Sequence, residues 1–389
     1  MGILVLTRYL PRMFCMALLL APALPAFLHT LFCTRGRRRR YGRGLCQFIW
    51  LFAPPEAAAQ PAPSPSPVPT TLIVSGGAWI FSSAAWGWVF ARSLTARGHC
   101  VVLVNVRQWP WVDAAAQVQD VRDALALVRE ACPAWGGCPA HLQLFAQSAG
   151  AHLCAQALLL EAQAQPCTLA PPAGCRGRGA GAMAAAPTAA TTALPSAAPP
   201  SSPPSPRTPP PLRHLVLASG VYNVPSALAH MVQRGFPPAA LCSLFPRPSA
   251  VSPIHQLGYP TSQWSPAAHP PVTLLHGAAD RSVPAAQSQD YAAALAAAGV
   301  RVTLHVTPGE GHTDTVLEGP LAGQDAVTEL LWQGMAGGAG AGSVAGGGAG
   351  ATRALGGAGA LLPRRAPVQA LPPVLPLAWV RLIRWVNPF

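Results

Sequence analysis

From Thr71 onward the chain alternates short apolar, β-branched runs with amphipathic stretches. The runs are Thr71–Val74, Cys100–Val106, His141–Phe145, His214–Ala218, Val272–Leu275 and Arg301–Val306. Between them the spacing predicts helices over Ala85–Ala96, Val118–Cys132, Ala149–Gln165 and Ser288–Ala298, with Asp325–Met335 after the last run. Continuous apolar strands separated by helices belong to a parallel sheet buried on both faces. The expected fold class is therefore α/β: a mostly parallel central sheet with helices on both faces. Leu45–Ala53 is apolar but too short to cross a bilayer, and reads as a further strand.

The flanks break this pattern. Met13–Cys33 carries no charge and is just long enough to span a membrane as a helix, with Pro22 and Pro25 expected to kink it. Six Arg follow between Arg35 and Arg43, which by the positive-inside rule would leave the C-terminal bulk in the cytosol. A cleaved signal or transit peptide is the alternative reading. Pro166–Pro211 is Ala, Pro, Gly, Ser and Thr with almost no large apolar residue. Such a stretch cannot bury enough surface to offset its ordering entropy, so it is expected to be a disordered insertion, as is Gly337–Gly359. Val374–Phe389, with Trp379, Arg381, Arg384 and Trp385, could lie on a membrane surface or be an artefact of the gene model. The expected organisation is a membrane segment over 1–44, an α/β domain over 45–165 and 212–336, an insertion over 166–211 and a tail over 337–389.

Composition sharpens the picture. Hydrophobic residues make up 51% of the 389 and charged ones 10%, which is apolar for a soluble protein. All 26 basic residues are Arg, and their excess lies in the flanks: residues 1–60 hold eight Arg against Glu56 alone. The stretches 71–160 and 214–335 hold slightly more acids than Arg, so no basic folded face suggests nucleic acid, whereas a membrane partner fits the basic flanks. The ten Cys form no CxxC pair and no Cys/His metal spacing, and read as free thiols in a reducing compartment. No metal or organic cofactor is expected.

Candidate chemistry lies at strand ends. Phe145-Ala146-Gln147-Ser148-Ala149-Gly150 follows a predicted strand and opens a predicted helix, the setting in which a tight turn lifts a serine oxygen above a sheet. The usual first glycine of that turn is Ala146. Ser75-Gly76-Gly77-Ala78-Trp79 ends the first core strand, where the N–H groups of Gly77 and Ala78, with that of Ala149, could hold an oxyanion. Asp280 lies just past the strand Val272–Leu275, and His312 lies in a loop after Arg301–Val306. The chain order Ser, Asp, His is that expected for this fold, with Ser148 as nucleophile, Asp280 as orienting acid and His312 as base. Seven aromatic residues cluster nearby, and Trp79, Trp86 and Trp109 are candidate walls of an apolar substrate pocket, core packing being the alternative for each.

At these residues the chain resembles the plant-type isoprenylcysteine methylesterases. The likeness rests on S-G-G-A-W-I at 75–80, A-W-G at 85–87, V-R-Q-W-P at 106–110, Q-S-A-G-A-H at 147–152, S-G-V-Y-N at 219–223, L-H-G-x-x-D-x-x-V-P at 275–284 and G-H-T-D at 311–314. It implies an α/β-hydrolase fold with Ser148, Asp280 and His312 as triad. It further implies an esterase anchored at the endoplasmic reticulum or Golgi membrane, acting on the methyl ester of prenylated-protein C-termini or prenylcysteine methyl esters. Competing readings are a general carboxylesterase, a formamidase-like hydrolase of small apolar substrates, and a non-catalytic receptor on the same fold. Ala146, Cys138 before Pro139, the 166–211 insertion and the C-terminal tail depart from that family's pattern.

Overall fold

A computed structural model describes residues 11–12, 14–33, 36–54, 68–164, 212–258, 265–336 and 371–387. The tracts expected to be disordered, 166–211 and 337–359, lie outside the described residues.

Eight strands form one sheet: β1 Arg37–Arg40, β2 Phe48–Phe52, β3 Val68–Val74, β4 Cys100–Asn105, β5 Gly137–Gln147, β6 His214–Ala218, β7 Val272–Gly277 and β8 Val302–Thr307. Their spatial order is β1-β2-β4-β3-β5-β6-β7-β8. β2 runs antiparallel to both β1 and β4, and all other neighbours are parallel. The helices among the described residues include α1 Leu24–Cys33, α2 Trp88–Thr95, α3 Ala114–Ala131, α4 Ala149–Ala164, α5 Val224–Gln233, α6 Pro238–Leu244, α7 Pro253–Leu257, α8 Ala286–Ala297, α9 Ala326–Ala336 and α10 Leu377–Val386.

The period-2 alternation of the strands divides the core in two. Leu72, Val74, Val102, Val104, Leu144 and Leu217 face one side, against Val121 and Leu125 of α3, Leu153 and Leu158 of α4, and Leu295 of α8. Ile73, Val101, Leu103, Phe145 and Val216 face the other, against Phe90 and Leu94 of α2 and Leu331 of α9. Each fully buried Leu, Val or Phe contributes roughly 1.5–3 kcal/mol relative to exposure, so the doubly covered sheet is the stable frame on which the loops at its strand ends rest.

Both flanks join the second layer. The helical stretch Phe14–Phe32 is long and apolar enough to cross a membrane or to be a signal segment. A 3-10 turn at Ala21–Ala23 interrupts it where Pro22 removes a donor. It buries Met16 and Ala23 against the sheet side, while Phe14, Leu18, Leu24, Leu28 and Phe32 face outward. α10 buries Val380 and Ile383 in the same cluster, and Trp379 Nε1 donates to Leu19 O at 2.7 Å. Residues 371–387 of the segment expected to be a tail thus pack into this layer.

The Arg run expected to be only a charged flank is an edge strand. Arg37–Arg40 pairs with the apolar β2, and the Arg38 guanidinium lies 3.8 Å from the Phe48 ring centroid. An edge strand made of arginines blocks pairing with a further chain.

Candidate active site

Four features of sequence and packing build the site. β5 ends at Gln147 and α4 begins at Ala149, so Ser148 occupies the turn alone, with φ of 54°. A non-glycine residue in this left-handed region is strained, and bonds on both sides hold it there: Ser148 N–H to Ala218 O at 2.8 Å, and His152 N–H to Ser148 O at 3.1 Å. A Cβ on Gly150 would approach Val74 O to 2.3 Å, so that position admits only glycine. Ala146, by contrast, is a regular β5 residue paired with Val74 and Leu217, and its methyl group is fully buried, which explains why no glycine is needed there.

His312 comes from the loop after β8. Its Nε2 lies 2.9 Å from Ser148 Oγ, and its Nδ1 lies 2.7 Å from Asp280 Oδ2. Three side chains separated by as many as 164 positions thus form one continuous hydrogen-bonded chain. The Asp280 carboxylate, in the loop after β7, is fully buried. Its Oδ1 accepts the N–H groups of Ser282 and Val283 at 2.8 and 2.9 Å. Burial opposes its charge, but hydrogen bonds from His276 and His312, the His312 charge and the Val283 N–H outweigh that and hold Asp280 well below the usual carboxylate range.

Two residues not singled out from the sequence support this arrangement. His276 Nε2 lies 3.2 Å from Asp280 Oδ2, and its Nδ1 lies 2.7 Å from Ser288 Oγ. Gln147 Nε2 donates to His312 O at 3.3 Å. Both belong to the quoted motifs, L-H-G-x-x-D and Q-S-A-G-A-H, which gave a signal for the motif but not for the role of each side chain.

The loop that follows β3 carries three successive positive φ angles, at Gly77 (135°), Ala78 (50°) and Trp79 (62°). Gly77 O accepts from Ile80 N–H and Phe81 N–H, and Trp79 O accepts from Trp109 N–H and Gln117 Nε2. These bonds occupy carbonyls and leave the Gly77 and Ala78 N–H groups for another acceptor. Gly77, Ala78 and Ser148 line one cavity together.

That cavity has a volume of about 500 Å³ and mostly apolar walls. Ile73, Phe81, Trp86, Phe90 and Phe145 line it beside Ser148 and His312, and so do Met16 and Leu20 of the N-terminal helix and Asn387 after α10. Of the three tryptophans expected there, Trp86 lines it with its side chain partly exposed. Trp79 lines it but is itself buried, its ring edge-on to Phe245. Trp109 does not line it: its indole donates to Ser243 Oγ at 3.2 Å, and it packs against the first core layer. The described residues hold no cluster of His, Cys, Asp and Glu that could bind a metal, and Cys15, Cys46, Cys100, Cys132, Cys138, Cys154 and Cys242 are free thiols.

Strand order, the strained serine turn and the Ser–His–Asp chain define the class of architecture: the protein has the α/β-hydrolase fold. Residues 59–167 match the BD-FAE family and residues 244–331 the prolyl oligopeptidase family. Among curated proteins the chain is similar to the probable isoprenylcysteine alpha-carbonyl methylesterase ICME of Oryza sativa subsp. japonica, 29% identical over 67% of this chain and 56% of that one. The isoprenylcysteine alpha-carbonyl methylesterase ICME of Arabidopsis thaliana is 26% identical over 79% of this chain and 64% of its own length. Esterase LipQ of Mycobacterium tuberculosis is 28% identical over 63% of this chain and 49% of its own length. The chain thus spans from about half to just under two thirds of the length of these relatives. Among solved structures, Thermogutta terrifontis esterase 2 phosphonylated by sarin superposes with a TM-score of 0.51 at 18% identity, covering 77% of this chain and 91% of that one. Its apo form superposes with a TM-score of 0.50 at 19% identity, with the same coverage.

Proposed function

We propose that the protein is a serine-dependent carboxylic ester hydrolase that cleaves the C-terminal methyl ester of isoprenylcysteine. The observation that carries this reading is the Ser148–His312–Asp280 chain opening onto a large, mostly apolar cavity. A cavity of about 500 Å³ suits a long hydrocarbon chain, and its apolar walls would take that chain out of water. The isoprenylcysteine methylesterases it resembles supply the substrate class.

In this reading Ser148 Oγ attacks the ester carbonyl carbon as its proton passes to His312 Nε2. The carbonyl oxygen becomes an alkoxide that accepts from the N–H groups of Gly77, Ala78 and Ala149. His312, with Nδ1–H held by Asp280, returns the proton to the methoxide as the C–O bond breaks, and methanol leaves. Water, deprotonated by His312, attacks the acyl-serine; the serine regains the proton, and the free carboxylate of the prenylcysteine departs. No step calls for a metal or a cofactor.

The substrate is lipidic, and the outward-facing apolar side chains of Phe14–Phe32 would lie at a membrane, which we assign to the endoplasmic reticulum or Golgi with the catalytic domain on the cytosolic side.

Turnover of farnesylcysteine methyl ester against a short nitrophenyl ester tests the reading. We expect a kcat/KM higher by at least about tenfold for the prenyl substrate, since several buried methylene groups each contribute about 0.8 kcal/mol. A preference for the short ester would instead assign the protein to general carboxylesterases or formamidase-like enzymes. Failure of a fluorophosphonate to label Ser148 would leave a non-catalytic receptor.

A further inference from the structure

The loop that presents His312 is braced from outside by the C-terminal segment. Arg384 of α10 donates through Nη2 to Gly309 O at 2.8 Å and to Asp314 Oδ2 at 2.5 Å. That same carboxylate oxygen accepts Gly311 N–H at 2.6 Å, so Arg384 is tied to the residue just before His312. On the other side, Asn387 Nδ2 donates to Thr313 Oγ1 and to Glu318 Oε1, each at 2.6 Å, and the Thr313 hydroxyl donates to Glu318 Oε1 at 3.0 Å. The chain immediately before and immediately after His312 is thus pinned to α10 and the residue that follows it.

The segment is itself firmly seated. The Arg92 guanidinium forks onto Pro372 O, and the N–H groups of Val374 and Leu375 both donate to Leu321 O. Ile383, one residue before Arg384, is fully buried. A seated helix offering two polar anchors to a glycine-flanked loop fixes where that loop can go.

We propose that Arg384 and Asn387 are positioning residues for His312, holding the imidazole so that its two ring nitrogens meet Ser148 and Asp280 at once. This rests on reading those three residues as a triad. A ring that must satisfy two partners tolerates little displacement, and a misplacement of about 1 Å costs up to about a hundredfold in rate. Neither residue touches the reacting atoms.

The test uses the full chain with R384Q, R384K and N387A, and with R381Q as control, since Arg381 is an exposed arginine of the same helix. The readouts are kcat and KM for a nitrophenyl ester, the rate of fluorophosphonate labelling at Ser148, and the thermal midpoint. In R384Q we expect kcat and the labelling rate to fall about ten- to a hundredfold with KM within about twofold. R384K should recover part of the loss, because an ammonium keeps the charge and can donate more than one bond, but from a shorter, differently shaped side chain. N387A should slow labelling in the same way, and R381Q should match the parent. Parent-level kcat and labelling in folded R384Q and N387A would overturn the proposal, as would an equal loss in R381Q. Should R384Q not fold, N387A carries the test, and parental kcat and labelling in it would overturn the proposal. If the parent itself does not label, the triad reading falls and this proposal with it.

Discussion

The indole Nε1 of Trp79 donates to Nδ1 of His152 across 3.0 Å, and this bond joins the loop after β3 to the helix that follows Ser148. His152 is completely buried, and its Nε2 lies 2.6 Å from Val251 O. Burial lowers its pKa to about 4, so the ring stays neutral; Nε2 carries the proton given to Val251, and Nδ1 is left free to accept. Trp79 has φ of 62°, a conformation costing about 1–3 kcal/mol that the surroundings must enforce. Trp79→Phe keeps an aromatic ring but removes the donor together with one of the two fused rings. If the loop at Gly77 and Ala78 holds the oxyanion as proposed, we expect kcat to fall by about tenfold or more as that loop loosens, with KM nearly unchanged. Steady-state kinetics on a short ester checks this, and an unchanged kcat would mean that the loop holds without the bond.

If Ser148 and His312 act as one unit, their losses do not add. Ser148→Ala, His312→Ala and the double variant should each lower kcat by several orders of magnitude to about the same residual rate. Active-site titration beforehand excludes contaminating esterase. Multiplicative losses in the double variant would contradict the 2.9 Å bond as a working contact.

Three buried histidines make stability depend on pH. Burial lowers His99, His152 and His214 to about 4 each, from an ordinary value near 6.5. Between those values the unfolded chain binds more protons than the folded one, so stability rises with pH through that window. It is therefore fully present above about 6.5 and is lost as pH falls towards about 4. Asp280, with its pKa depressed, adds a loss that comes only lower still, below the ordinary carboxylate range. Urea midpoints at pH 7, 5.5 and 4.5 should decline in that order, and His214→Gln should make the slope shallower. A flat profile would show these rings charged in the folded protein.

The parallel strands, and the placing of Ser148, Asp280 and His312 in loops at their ends, were legible because each rests on a local pattern. The run Val272–Leu275 joins two β-branched residues, Val272 and Thr273, to two leucines, and Asp280 follows it at a loop's distance. β1 was not legible: four arginines have no strand periodicity, and they pair only because β2 offers its backbone and the Phe48 ring. α5, α6 and α7 were hidden for another reason. Each begins with proline in its first turn, which reads as a break in a linear scan but is favourable at a helix start. Trp109 was expected in the pocket because it is aromatic and near in sequence; the structure turns it towards Ser243. The hold of Asn387 on Thr313 joins residues 74 positions apart and has no sequence signature at all.

Asp120 is the charge most deeply committed to the fold, with its side chain fully buried on α3. It accepts from Arg107 through Nε, Nη2 and the backbone N–H, and from Gln47 Nε2 at 2.8 Å. It therefore ties the entry to β2, the exit of β4 and α3 together. Arg107 is a third exposed, which lets water share its charge, whereas Asp120 has no such outlet. Removing the carboxylate strands several donors in the interior, and the cost of breaking such a pair is about 3–5 kcal/mol when both partners are buried. With one partner partly solvated we expect about 2–4 kcal/mol for Asp120→Ala. Arg107→Ala should cost less, because Asp120 keeps the Arg107 N–H and Gln47. Urea unfolding of the two variants measures both values. Ester turnover per folded molecule should stay at the parental level, since neither residue lines the cavity. A loss below about 1 kcal/mol in D120A, or a larger one in R107A, would show that this network does not hold the strands in the way its geometry implies.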